Sequence, residues 1–129
     1  MRPNVVCLLF KKKFKNGEEL FLSVSRKSNH SDFGLPGGKV DQGETCEQAI
    51  IRECIEETGY MPHGIKRIFF RKNSTDDILT FTCEGLIKVK DVAEEEGVVA
   101  WLTKEALLSG SSYRDYNEEL INFWESRDE

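Results

Sequence analysis

The chain has 129 residues, 39% of them hydrophobic and 32% charged, with a formal net charge of −5. That length and balance describe one domain, residues 1–129, with a core of its own and no repetitive or biased tract. The acidic balance argues against a broad footprint for DNA or RNA polymers, whose binders are usually basic. A small anionic substrate stays open, because a bound cation reverses the local sign of a site.

The four cysteines, Cys7, Cys46, Cys54 and Cys83, form no CxxC pair. They read as reduced core residues, which makes the cytoplasm the expected compartment. Residues 5–10 are an apolar run cut off by Lys11-Lys12-Lys13. Six residues are too few for a signal or membrane segment, and no membrane association is expected. The run is expected to be a buried strand paired with residues 20–24 as a hairpin across Asn16-Gly17, a dipeptide suited to a tight turn. Lys11, Lys12, Lys13 and Lys15 then decorate that turn; a nucleic-acid patch is the sharper alternative. Residues 25–33 are polar, carry Arg26, Lys27 and His30, and read as a loop. His30 and His63 have no partner at a metal-ligand spacing and are expected at the surface.

Residues 37–60 read as loop, helix, loop. Thr45 followed three residues later by Gln48 is a capping-box pattern, so the helix is expected to begin near Cys46, and Gly59 marks its end. At about 100° per residue, Glu53, Glu56 and Glu57 share one arc while Ile50, Ile51, Cys54 and Ile55 fall on the other side. Grouped carboxylates repel one another, so this face is either simply solvated or built for a cation, and a hard divalent ion suits oxygen ligands. The paired glycines let backbone approach a metal or phosphate closely. An Arg52 fork on Glu44 would pin the loop to the helix; Arg52 is also spaced as an ordinary i,i+4 partner of Glu56.

Gly38, Glu44 and the run Arg52-Glu53-Cys54-Ile55-Glu56-Glu57-Thr58-Gly59-Tyr60 resemble the Nudix box, the signature of the Nudix hydrolases, here over residues 38–60. All seven fixed letters are present. Cys54 and Tyr60 stand where the family usually has Leu, Ile or Val; both are packing slots. The resemblance implies an α/β fold, the Nudix-type α/β/α sandwich with a mixed sheet, whereas periodicity alone shows only mixed α and β content. It also implies a metal held by the Gly37 carbonyl and by Glu56 and Glu57, with Glu53 a further ligand or the base that orients water. In small members a basic residue near Arg26 or Lys27 meets phosphate, Leu35-Pro36 leads into the glycines, and Phe33 or Leu35 lines a base pocket. Lys39 joins the substrate-facing set.

Downstream, residues 65–71 and 78–89 are expected as two strands, the second long, with residues 73–77 turning between them. Leu79, Phe81 and Cys83 share a face that is core in the first instance, though Phe81 can also stack on a base. Residues 91–97 hold Glu94, Glu95 and Glu96. The resemblance makes Glu95 or Glu96 an added metal ligand or base, Glu95 being preferred. Residues 98–102 are a strand with Trp101 as a core anchor. Thr103 caps a short helix over 103–109, and 113–125 form a longer one with Leu120, Ile121 and Trp124 on a common face. Asn117 is either a plain helix-surface residue or, as in MutT-like members, a reader of a purine edge.

No Ser-His-Asp, Cys-His or Lys constellation points to a covalent intermediate. The expected chemistry is metal-assisted hydrolysis: one to three Mg²⁺, with Mn²⁺ as a substitute, held by Glu56, Glu57, Gly37 and Glu95, and water oriented or deprotonated by Glu53, Glu95 or Glu96. The first substrate class is a nucleoside triphosphate split to monophosphate and pyrophosphate. ADP-ribose or dinucleoside polyphosphates are the alternative, and a non-catalytic nucleotide-binding module the third reading. No exposed apolar stripe stands out, which leaves a monomer or a homodimer.

Overall fold

The computed structural model describes residues 3–93, 95, 97–111 and 113–127. In chain order its elements are β1 (Val5–Leu8), β2 (Lys11–Lys13), β3 (Glu19–Arg26), β4 (Asn29–Gly34), β5 (Gly37–Lys39), α1 (Cys46–Thr58), β6 (Tyr60–His63), β7 (Lys66–Lys72), β8 (Asp77–Thr82), β9 (Gly85–Lys88), β10 (Val99–Leu102), α2 (Lys104–Leu108) and α3 (Arg114–Arg127). Among the described residues no helix is long and apolar enough to cross a membrane.

The central sheet runs β5-β1-β8-β7. β1 and β8 are parallel, with Val5 opposite Ile78 and Leu8 opposite Phe81, while the β1–β5 and β7–β8 pairs are antiparallel. A strand apolar on both faces needs cover on both, and alternation along β1 and β8 provides for it. Val6, Leu8, Leu79 and Phe81 pack with Ala49, Ile50 and Cys54 of α1. Val5, Leu9 and Ile78 pack the other way, with Leu107, Tyr116, Leu120 and Ile121 of α2 and α3. The sheet is therefore mixed and covered by helices on both faces, the α/β/α layering expected. Trp124 is half-buried beside Leu120 and Ile121, on the face assigned to it.

The first hairpin is not the one expected. Asn16-Gly17 does turn the chain, but its arms are β2 and β3, with Lys11 opposite Phe21 and Lys13 opposite Glu19. Lys11, Lys12 and Lys13 form a strand, and of the four lysines expected to decorate the turn Lys15 alone lies in it. The physical reason is that β1, apolar on both sides, belongs in a sheet interior, whereas a lysine strand is tolerated at an edge. The crossing between sheets is made at Leu9 and Phe10: the Leu9 amide donates to the Phe81 carbonyl (2.8 Å) and the Leu22 amide to the Phe10 carbonyl (2.9 Å).

β3 is flanked by β10 on one side and by β2 and β4 on the other, since Phe21 faces both Leu102 and Lys11, and Val24 faces both Val99 and Gly34. The polar stretch over 25–33 is thus a hairpin, not a loop. β4 is exposed over its first half and has no buried residue, so no apolar alternation marks it. The long strand expected over 78–89 is two: after β8 the chain leaves the central sheet, and β9 pairs with β6 in a separate ribbon, Tyr60 opposite Lys88 and His63 opposite Gly85. Trp101 lies half-buried in β10, its ring edge-on to Phe10 (6.1 Å) and Phe14 (5.5 Å).

Candidate active site

The site is organised by α1, whose ends are set by local chemistry. Thr45 Oγ1 accepts the Gln48 amide (3.0 Å) and Gln48 Oε1 accepts the Thr45 amide (2.9 Å), a reciprocal box that satisfies two orphan donors. At the far end Gly59, at φ 78°, donates to the Ile55 carbonyl (2.9 Å). A side chain there would be strained by the left-handed backbone and would also meet the Lys90 carbonyl at 2.2 Å. Cys46, Ala49, Ile50, Cys54 and Thr58 are buried on the core side. Burial pushes the Cys54 thiol up to about 11, so it stays a neutral packing group that lies against Thr58.

Arg52 is the hinge pin of the polar side. Its Nε and Nη2 fork both oxygens of Glu44 (2.7 and 2.9 Å), and Nη2 also donates to the Lys39 carbonyl (3.1 Å). Nη1 donates to Glu53 Oε1 (2.7 Å) and to Glu56 Oε2 (3.4 Å). Both spacings anticipated for Arg52, the loop fork and the i,i+4 pair, are made at once. The guanidinium, together with the Asp41 amide, holds the Glu44 carboxyl down at about 2. It therefore stays ionised and keeps the loop over 39–44 fastened to α1.

Two carboxylates of the helix, Glu53 and Glu57, are less comfortable as anions. Burial raises the Glu53 carboxyl above its ordinary value, with Arg52 opposing the shift. Glu57 is pushed up to about 8, chiefly by burial. The Gly37 amide donates to Glu57 Oε1 (2.8 Å) and lowers it, Glu53 and Glu56 raise it, and the charge of Lys27 lowers it. Gly38 lies directly against Glu53; a Cβ there would stand 2.7 Å from the carboxylate. A side chain at position 38 would push the Glu53 carboxylate out of its present place. Among the described residues no three His, Cys, Asp or Glu side chains stand together as a ready cage for an ion. Glu53 is turned to Arg52 and Glu57 to the Gly37 amide. The donor chemistry still suits a hard divalent cation: Glu53 and Glu57 are partly buried, Glu56 is exposed beside them, and the mutual repulsion of these oxygen ligands is relieved by added positive charge.

Beside the box opens a cleft of about 540 Å³, counting the space open to solvent. Leu35, Lys39 and Asn117 line it together with Gly37 and Gly38. Asn117 is buried, only 4% exposed, so the plain surface reading of it is corrected. Phe81 is also corrected: it is fully buried in the core beneath α1 and does not line the cleft, with the Arg67 guanidinium 5.9 Å from its ring. β8 sends alternate side chains to opposite faces, and Phe81 takes the α1 side while Ile78 takes the cleft side. Arg26 does not line the cleft either; it is exposed and paired with Asp32 (3.7 Å). Lys27, its neighbour, is the base whose charge reaches Glu57.

Glu95 stands exposed on segment 91–98, which is tied to the end of β3 by the Ser25 amide on the Val98 carbonyl (2.9 Å) and the Val98 amide on Ser25 Oγ (2.8 Å). Glu94 and Glu96 lie outside the described residues. Cys7, Tyr113 and Tyr116 also line the cleft, although nothing in their sequence context marked them as site residues. Tyr116 was findable as a core residue, since it continues the apolar period of Leu120 and Ile121. Its hydroxyl and that of Thr80 share a short hydrogen bond, and Thr80 in turn meets Cys7 Sγ (3.2 Å).

Comparison with known proteins points one way. The family model described as NUDIX domain matches residues 1–121. A MutT-like protein of Streptomyces ambofaciens is 33% identical over 65% of this chain and 56% of its own length. Among solved structures, MutT from a study of Aliivibrio salmonicida and Vibrio cholerae superposes with a TM-score of 0.70 at 18% identity, over 95% of each chain. The NUDIX domain of Shewanella oneidensis NrtR complexed with ADP ribose gives 0.71 at 20% identity, over 100% of this chain and 90% of that one. The two structures speak for the fold alone. The matches span between 12% and 56% of the length of the first curated relatives.

Proposed function

The chain belongs to the Nudix hydrolase family, and on that premise we propose that it is a Mg²⁺-dependent hydrolase of pyrophosphate linkages in nucleoside diphosphate derivatives. Within that class we assign it to the MutT-like nucleoside triphosphate pyrophosphohydrolases, which add water to the triphosphate and release a nucleoside monophosphate and pyrophosphate, working in the cytoplasm. The observation that carries this reading is the juxtaposition of the carboxylate face of α1 with a cleft bounded by Gly37, Gly38 and the buried Asn117. One end suits a diphosphate with its cation and the other a heterocycle with an edge to be read by an amide.

Glu56 and Glu57, with the Gly37 carbonyl, are the proposed metal ligands, and Glu53 and Glu95 the residues that complete the set. A divalent ion held there would neutralise the diphosphate and lower the pKa of bound water. Arg52 orients Glu53 and, through Glu44, keeps the loop in register with the helix. Glu53 orients or takes a proton from the attacking water, a role suited to a carboxyl whose proton affinity burial has raised. Lys39 and Lys27 offer cationic charge to phosphate oxygens, Lys39 from the cleft wall and Lys27 from the β3–β4 turn.

Turnover of a nucleotide panel with Mg²⁺ in ¹⁸O water tests the assignment, since the label identifies both the substrate and the phosphorus attacked. Label in the monophosphate or pyrophosphate of a triphosphate substrate supports it; preferential cleavage of ADP-ribose or a dinucleoside polyphosphate moves the enzyme to the other substrate class. Glu53→Gln and Glu57→Gln are each expected to lose about 10²-fold or more in kcat while keeping the fold. Near-normal turnover in both variants would sink the residue assignment.

A further inference from the structure

Resting on the nucleotide reading above, we propose that Tyr113 is the wall of the cleft on which the planar base of the substrate stacks, and that it sets the preference for a nucleotide over a base-free polyphosphate. Tyr113 lines the cleft and is a large aromatic residue left 49% exposed. Its backbone is in the left-handed region at φ 53°, and it is the only non-glycine residue with positive φ among the described residues. For a bulky side chain that conformation is an outlier, which persists only where the surroundings over-determine it.

Those surroundings grip it from several directions. The Tyr113 hydroxyl donates to Asp76 Oδ2 (3.1 Å), and Asp76 is itself held by Asn4 Nδ2 (3.2 Å). The Tyr113 carbonyl accepts the Asn117 amide (2.8 Å), which starts α3. Two residues earlier the Ser111 amide donates to Asp32 Oδ1 (2.8 Å), and the Ser111 hydroxyl also bonds to Asp32. The segment is thus fastened to β4 on one side and to the entry of β8 on the other. A ring so immobilised, in a cleft it lines together with Val5, Ile78 and Leu35, loses little freedom when a flat ligand covers it. Tyr116 cannot do the same, because it is buried and its hydroxyl is engaged by Thr80.

The test uses nucleoside triphosphates alongside ribose 5-triphosphate, which carries the same linkage without a base. Tyr113→Gly deletes the ring and suits the left-handed backbone, so the fold is preserved; Tyr113→Phe keeps the ring and drops the Asp76 bond. Loss of a stacking contact is expected to raise KM for the nucleotide about tenfold in the glycine variant, with kcat and the ribose 5-triphosphate rates within about twofold of normal. The phenylalanine variant should keep the wild-type preference. An unchanged nucleotide-to-ribose ratio in Tyr113→Gly, or equal losses in both variants, would overturn the proposal and leave Tyr113 a latch. Should the wild-type protein hydrolyse neither substrate, the catalytic reading fails on its own. Calorimetric Kd values for the nucleotide then decide: about tenfold weaker binding in Tyr113→Gly upholds the base wall, and equal binding overturns it.

Discussion

Glu57 carries its carboxyl into a place that disfavours charge, between the Gly37 amide and two neighbouring acids, and its pKa rises to about 8 from an ordinary 4.5. Between those values the folded protein holds a proton that the unfolded chain has released, so stability falls as pH rises across that window. The contribution is fully present below about 4.5 and lost as pH passes 8. In chelator, the melting temperature is therefore expected to drop between pH 6 and pH 9, and Glu57→Gln, which keeps an oxygen for the Gly37 amide without the charge, should flatten that drop. An equal slope in the two proteins would show that Glu57 does not titrate as described. Spacing alone made the Arg52–Glu44 fork legible, because two oppositely charged residues bracket a helix start. Tyr113 was not legible, since a left-handed backbone on a tyrosine leaves no composition signal.

Helix α1 was readable end to end because each of its determinants is local: Thr45 with Gln48, the apolar period, and Gly59. Thr45→Ala should cost about 1 kcal/mol by denaturant titration, the usual loss for a removed cap. Gly59→Ala should cost more, since a Cβ meets the Lys90 carbonyl at 2.2 Å as well as the left-handed backbone. If the alanine variant at 59 proved as stable as the wild type, the packing of segment 90–92 on the helix end would be misplaced. The strands were read less well for the complementary reason. Partner choice for β1, β5, β6 and β9 is decided by residues far along the chain: β1 sits beside β8, some seventy positions away, and not beside the segment that follows it. A period-two pattern reports which side chains share a face but not which strand lies next to them.

The molecule as a whole separates two jobs on the two faces of one sheet. The α1 side is a closed core, and Phe81 belongs to it. Phe81→Ala should lose about 3–5 kcal/mol of stability, while the milder Phe81→Leu, folded enough to assay, should leave KM within about twofold of normal. A raised KM without loss of stability would return Phe81 to the substrate. The cleft forms along the sheet toward α3, where Val5, Ile78 and Tyr116 are shared between core and wall, and the box joins it through Gly37 and Gly38. That placement ties metal affinity to the state of the whole fold. On the proposed assignment a divalent ion on Glu57 displaces the proton that burial favours there, so Mg²⁺ should bind the folded protein more tightly as pH rises toward 9. Saturating Mg²⁺, at about a hundred times its Kd, then raises stability by about 2.7 kcal/mol, on the order of 10 °C in melting temperature. At pH 6 and the same concentration the rise should be distinctly smaller. Differential scanning of the wild type and Glu57→Gln with and without Mg²⁺ measures it directly: a gain of equal size at both pH values, or one that survives in the Gln variant, would mean that the ion is held elsewhere.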